Sequence, residues 1–102
     1  MPENDGRIPP AVQQDFNAAC AYYEAEGGVY LAQRFEQEFR ACITAITAGP
    51  TRFARYHRST IFRRVGFHTF PDVILYRETT NGLRVTLLRH ERRHPLYGMN
   101  RW

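Results

Sequence analysis

The periodicity of apolar residues changes once along this 102-residue chain, at Gly49-Pro50. Before that point, apolar residues recur every three or four positions, which is the period of a helix that buries one face. After it, short runs rich in β-branched and aromatic residues alternate with turn residues, which is typical of strands. This order predicts a single α+β domain, in which an N-terminal helical hairpin packs on a small C-terminal antiparallel sheet.

The hairpin is predicted over residues 10–48. Pro9-Pro10 marks its entrance, because proline is favoured in the first turn of a helix, and Gly49-Pro50 ends it. Gly27-Gly28 interrupts the helical pattern and predicts a reversal of direction. The aromatic residues of the two apolar stripes are expected in the core: Phe16, Tyr23, Phe35 and Phe39. Residues 1–8 are polar and are expected to be irregular.

The sheet is predicted within residues 55–90. Its strands are expected at Thr60 to Phe67, Val73 to Thr79 and Leu83 to Arg89. Asn81-Gly82 between the last two is typical of a type I′ hairpin turn, and a two-residue turn would pair Thr80 with Leu83 and Tyr76 with Leu87.

That register assigns the faces of the two strands. The face expected to pack on the helices carries Ile74, Tyr76, Leu83, Val85 and Leu87. The opposite face, expected to be partly open and rich in arginine, carries Leu75, Arg77, Arg84, Thr86, Leu88 and His90.

The net charge of +4 is divided unevenly along the chain. Residues 1–51 hold three Arg and seven acidic residues, for a net charge of −4, whereas residues 52–102 hold eleven Arg and three acidic residues, for +8. No lysine is present. GC-rich coding bias explains this as well as a preference for the bidentate contacts that arginine makes with carboxylate or phosphate, but such bias does not explain the segregation of charge. A basic half indicates an anionic partner, either nucleic acid or an acidic protein segment.

Neither a membrane segment nor a metal site is expected. The apolar runs are only a few residues long and the N-terminus lacks a basic and an apolar signal region, so a cytoplasmic protein without a membrane partner is expected. Cys20 and Cys42 fall at positions of the hairpin offset by roughly 10 Å, beyond the reach of a disulfide, and both are expected to be buried thiols. The four histidines have no metal-ligand spacing, and no cofactor is expected.

Five segments carry a resemblance to a known family. They are Ala11 to Phe16 with Tyr22-Tyr23, Leu31 to Phe35, Ile43 to Pro50, Phe70-Pro71 before Val73 to Tyr76, and His90-x-Arg92-Arg93-x-Pro95-x-Tyr97. Their order resembles the RelE/ParE superfamily of toxins from type II toxin–antitoxin systems. The chain departs from the family in lacking a recognisable strand before the first helix. The absence of lysine, and Glu91 where the ribonuclease branch carries arginine, favour the ParE-like branch of plasmid stabilisation proteins.

The resemblance implies a toxin that inhibits DNA gyrase without catalytic residues of its own. An acidic, ParD-like antitoxin would neutralise it in a hetero-oligomeric complex. The target would be contacted by His90 and by the basic tail, residues 91–102, through Arg92, Arg93, Tyr97 and Arg101. The antitoxin would contact Tyr22, Tyr30, Arg77 and Arg84.

A RelE-like, ribosome-dependent mRNA endoribonuclease is the alternative. Cleavage of RNA without a metal needs a base, an acid and cations for the phosphate. Arg64, His90, His94 and Tyr97 would supply them. A third possibility is a fold of this kind that binds a partner and is not toxic, since one scaffold hosts several functions.

Overall fold

The computed structural model describes residues 8–56, 61–80, 82–92 and 97–101. It contains helix α1 (Pro10–Ala48) and strands β1 (Phe62–Gly66), β2 (Asp72–Thr79) and β3 (Gly82–His90). The strands form an antiparallel sheet in the order β1-β2-β3. The predicted α+β class is therefore confirmed. Apart from Ile8, the predicted irregular N-terminus lies outside the described residues.

Helix α1 consists of two arms, residues 10–27 and 29–48, that reverse direction at Gly28. A straight helix of 39 residues would be about 58 Å long, whereas the longest dimension of the molecule is 40 Å. Gly28 has φ 81° and ψ −176°, a region that essentially only glycine adopts. The arms pack against each other, with the Phe16 and Phe39 rings 4.6 Å apart. The predicted helical hairpin is confirmed.

The main core lies between the hairpin and one face of the sheet. The Phe35 ring stacks on Phe67 at 4.8 Å and meets Phe70 edge-on at 5.2 Å. The sheet contributes Val65, Ile74, Tyr76, Leu83, Val85 and Leu88. Burial of this apolar surface holds the hairpin against the strands.

The register between β2 and β3 differs from the prediction. Thr79 pairs with Gly82, so Gly82 already belongs to β3 and the predicted pairing of Thr80 with Leu83 is wrong. Asn81 lies outside the described residues.

A β-bulge then shifts the register further along the strand. Tyr76 pairs with Val85 and Leu75 pairs with Leu87, so Thr86 is an extra residue in β3. The extra residue exchanges the two faces of β3 from that point on. The predicted sides of Leu87, Leu88 and His90 are therefore wrong.

The face of the sheet away from the hairpin is a second small core, not the partly open surface that was predicted. Buried Tyr56, Phe62, Leu75 and Leu87 form it, with Met99 packed against them. The guanidinium of Arg89 is also buried here and donates a hydrogen bond of 2.9 Å to the Tyr56 hydroxyl. Tyr56 from the segment before β1 and Met99 from the tail cover positions that a sheet pattern alone leaves open.

Cys20 and Cys42 are free thiols that pack, half-buried, against the main core. Burial raises the pKa of both, and that of Cys42 rises to about 11. Within the described residues, no helix combines the length and apolarity that crossing a membrane requires.

Candidate functional site

The first arm of α1, the end of β3 and the tail enclose a cavity of about 560 Å³. This volume lies in the range of small-ligand and side-chain binding sites. The lining residues are Gln14, Asp15, Ala18, Ala19, Tyr22, Tyr23, Asp72, Leu88, Arg89, His90, Arg92, Tyr97 and Arg101. Four of the five residues predicted to contact the target are among them.

The helical period explains which side of the first arm lines the cavity. Gln14, Ala18 and Tyr22 are each four residues apart and share one side of the helix. Ala18 and Ala19 have short side chains, which leaves space between the helix and β3. The cavity therefore follows from small residues placed between the polar group of Asp15 and the ring of Tyr22.

The carboxylate of Asp15 joins three segments of the chain. It accepts hydrogen bonds from the Leu88 backbone N–H at 3.2 Å, the Tyr97 hydroxyl at 2.6 Å and the Arg101 guanidinium at 2.7 and 3.2 Å. The pairing with Arg101 is bidentate, the strong form of such contacts. It raises the pKa of Arg101. Tyr97 and Arg101 are thus held against the helix.

At the other end of the cavity, Tyr23 donates a hydrogen bond to Asp72. Burial raises the pKa of Asp72, and the Tyr23 hydroxyl and His90 oppose that effect. Burial, and then the bond to Asp72, raises the pKa of Tyr23 well above its ordinary value. Tyr23 therefore stays protonated and remains a donor.

His90 and Arg92 lie where β3 ends. The Nδ1 atom of His90 accepts a hydrogen bond of 3.0 Å from the Arg92 backbone N–H, which orients the ring. The Glu91 N–H donates to the Pro71 carbonyl at 2.8 Å, so the first residues of the tail are also fixed. Arg92 is exposed, which presents a cation at the mouth of the cavity.

The structure separates the residues predicted for RNA cleavage. His90 and Tyr97 line the same cavity, but Arg64 forms an ion pair with Glu91 and does not line it. His94, like Arg93 of the target-binding prediction, lies outside the described residues. Among the described residues, no three His, Cys, Asp or Glu side chains converge as metal ligands.

The residues predicted to contact an antitoxin lie in three places. Tyr22 lines the cavity and is 54% exposed, whereas Tyr30 follows the reversal at Gly28 and is 83% exposed. Arg77 and Arg84 pair across β2 and β3 on the face away from the hairpin. A partner that contacts all four would have to extend around the domain.

Sequence reasoning missed Asp15, Asp72 and Tyr23 as members of the site. A signal existed for Asp15, which lies three residues after Val12 on the apolar stripe, where a carboxylate is rare unless it is paired. The sequence indicated a site role for Asp72 less clearly, because a residue that follows proline is predicted to lie in a turn. Its burial, at 3% exposed, depends on the packing of Tyr23 from a distant helix.

Comparison with solved structures finds this fold in a chain of the structure described as "Chromosomal ParDE TA system from P. aeruginosa". The TM-score is 0.74 at 12% sequence identity, and the match covers 81% of this chain and 90% of that chain. No protein-family model matches the sequence, and no curated protein matches it. The helical hairpin on an antiparallel sheet is therefore the fold of a chain from a ParDE toxin–antitoxin system.

Proposed function

We propose that this chain is the toxin of a type II toxin–antitoxin system, of the ParE type, and that it inhibits DNA gyrase. The observation that carries the proposal is the fold shared with a chain of a ParDE system over 81% of the sequence. The segment His90-x-Arg92-Arg93-x-Pro95-x-Tyr97, which resembles the closing signature of such toxins, supports it.

The exposed guanidinium of Arg92 and the half-buried ring of His90, at the end of β3, are the proposed contacts with the target. Arg92 stands at the mouth of the cavity, and the ring of His90 is held beside it by a hydrogen bond to the Arg92 backbone. A guanidinium forms bidentate contacts with phosphate or carboxylate, both of which a gyrase–DNA complex presents. Fixed backbone at Glu91 and Arg92 means that little ordering is needed on binding.

An acidic antitoxin is the proposed neutralising partner. The +8 charge of residues 52–102 complements an acidic segment, and electrostatic attraction of this kind accelerates association. Tyr22 and Tyr30 are exposed aromatic side chains of the type enriched in protein interfaces. Because Arg77 and Arg84 lie on the other face, the proposed antitoxin segment would wrap around the domain in a hetero-oligomeric complex.

An mRNA endoribonuclease is the second candidate, favoured by the presence of His90 and Tyr97 in one cavity. Two contacts weigh against it. The Tyr97 hydroxyl already donates to Asp15, and Arg64 is paired with Glu91 outside the cavity. A base and a phosphate-binding cation would both have to be released from these partners before RNA could be cleaved.

Induction of the chain in bacterial cells without antitoxin distinguishes the candidates. One culture is divided and scored for chromosomal double-strand breaks and for cleaved mRNA. We expect breaks with intact mRNA, and inhibition of purified bacterial DNA gyrase in a supercoiling assay. Cleaved mRNA with intact DNA would establish the second candidate. Normal growth with neither lesion, at confirmed expression of folded protein, would reject toxicity and leave a partner-binding domain.

A further inference from the structure

Residues 97–101 of the tail lie against the outer edge of β3. In the order β1-β2-β3, β3 is an outer strand, and among the described residues no further strand pairs with it. On this side of β3 the Leu88 N–H donates to Asp15 at 3.2 Å, and the Thr86 carbonyl accepts from Arg101 at 3.3 Å. The side chains of Asp15 and Arg101 thus occupy positions that a further strand would take.

The Asp15 side chain is only 4% exposed, so its charge has to be compensated inside the protein. Three of its four hydrogen bonds come from the tail, from Tyr97 and Arg101. Arg101 also donates to the Tyr97 hydroxyl at 3.2 Å and lies over its ring at 5.2 Å. The side chains of Tyr97, Arg101 and Asp15 thus form one hydrogen-bonded network that joins the tail to α1.

The tail is therefore fastened at two points. The first is at Glu91 and Arg92, through the Pro71 carbonyl and His90. The second is Asp15, through Tyr97 and Arg101. These contacts restrict residues 91–92 and 97–101 before any partner binds.

We propose that Asp15 is a positioning residue, whose buried carboxylate fixes residues 97–101 of the tail on the edge of β3 and so keeps the surface beside the Arg92 guanidinium in one geometry for the target. The carboxylate of Asp15 is occupied by the Leu88 N–H, Tyr97 and Arg101, so Asp15 acts through these partners. The proposal rests on the function proposed above only for the identity of that target.

Asp15→Asn tests the assignment in the full-length chain. An asparagine oxygen in the place of Oδ2 can still accept from the Leu88 N–H and from Arg101 Nη1, but the amide nitrogen in the place of Oδ1 then faces the donors Tyr97 Oη and Arg101 Nη2, and the charge that pairs with Arg101 is lost. The substitution should therefore release the tail and spare the strand. Glu24→Gln is the matched control, because it removes one negative charge from an exposed position of the same arm.

Tail mobility is read from the fluorescence anisotropy of Trp102, the single tryptophan, and from hydrogen exchange of residues 97–101. Circular dichroism verifies the fold. We expect Asp15→Asn to lower the anisotropy and accelerate exchange in the tail, with Glu24→Gln unchanged. The concentration that inhibits gyrase by half should rise about tenfold. Adding Arg101→Gln to Asp15→Asn should increase tail mobility little further, since both act through one contact.

A folded Asp15→Asn protein with an ordered tail would overturn the assignment, as would a mobile tail with unchanged gyrase inhibition. If Asp15→Asn does not fold, the double variant Tyr97→Phe, Arg101→Gln removes the donors instead, and an ordered tail there would also overturn it. A wild-type chain that leaves gyrase unaffected would reject the proposed function. The mobility measurements would then still decide the assignment of Asp15.

Discussion

Tyr23 on the first arm of α1 donates its hydroxyl hydrogen to Asp72, the first residue of β2, across 49 positions of sequence. Asp72 is 3% exposed and Tyr23 is 7% exposed, so neither group exchanges this partner freely for water. Burial raises the pKa of Asp72, and the bond from Tyr23 partly offsets that rise. This contact fixes the hairpin to the sheet at the base of the cavity.

Tyr23→Phe should lower the free energy of unfolding by about 1–3 kcal/mol at pH 7, because a buried carboxyl group loses a hydrogen-bond donor. Urea denaturation measures the change. Tyr30→Phe is the control, since Tyr30 is 83% exposed and should change stability little.

The loss in Tyr23→Phe should also depend on pH. A carboxyl group with a raised pKa stabilises the fold at low pH. This contribution is lost as the pH rises from 3.8, the pKa of the carboxyl group in the unfolded chain, through its higher pKa in the folded protein. Removing the Tyr23 donor raises the pKa of Asp72 in the folded protein further, so stability is lost over a wider range of pH. The difference from wild type should therefore be smaller at pH 3 than at pH 7. An equal difference at both values would contradict a charge-dependent contact.

Glu38→Gln should destabilise the protein by about 1 kcal/mol at neutral pH. Glu38 on the second arm accepts hydrogen bonds of 3.0 Å from the backbone N–H groups of His68 and Thr69, and a further one from the Thr69 hydroxyl. Burial alone would raise its pKa, but these bonds outweigh burial and lower it. Its contribution is present above the unfolded value of 4.5 and is lost as the pH falls through the folded value.

Urea denaturation over a pH series checks this expectation. The gap between wild type and Glu38→Gln should close as the pH falls below the pKa of Glu38. Glu36→Gln, on the same arm and bonded to exposed Arg40, should give a small difference at every pH. If the difference in the free energy of unfolding persists in acid, then the packing of Glu38, and not its charge, stabilises the segment at His68 and Thr69.

Gly28→Ala should cost about 1–3 kcal/mol, because its φ of 81° and ψ of −176° are unfavourable for any residue with a Cβ atom. The cost is conformational, since a Cβ atom there would meet no heavy atom within 4 Å. Gly49→Ala is the control, at φ −148° and with ordinary contacts. Thermal denaturation should show a lower Tm for Gly28→Ala alone. Equal Tm values would mean that the reversal is not fixed at Gly28.

Arg92→Gln should raise the level of induced protein that is needed to halve growth by about tenfold, because the proposed contact between the guanidinium and the target is lost. Arg40→Gln is the matched control, because Arg40 is an exposed arginine on the second arm, away from the cavity. Induction is titrated at equal protein levels. Equal growth inhibition by both variants would remove Arg92 from the proposed target contact.

The hairpin could be predicted because its boundaries depend on local chemistry. Pro9-Pro10 and Gly49-Pro50 act on their own backbone, and α1 begins at Pro10 and ends at Ala48. The reversal at Gly28 follows from the same kind of local signal. The core aromatics followed from their spacing alone.

The second core and the Asp15 network could not be predicted in this way, because both depend on contacts between distant segments. Asp15 meets Tyr97 and Arg101, 82 and 86 positions away. The bulge at Thr86 cannot be recognised from the sequence Val85-Thr86-Leu87-Leu88, because each of these residues is compatible with either face of the sheet. A regular alternation was therefore assumed, and it placed His90 on the wrong side.

The extra residue in β3 also affects how this chain should be aligned with relatives. After Thr86, each side chain of β3 points to the face opposite to the one that it would have in a regular strand. An alignment that passes through this strand without a gap would match His90 to a residue on the opposite side of a relative that lacks the bulge. Roles should be transferred to residues 87–90 only after a one-residue gap is opened at Thr86.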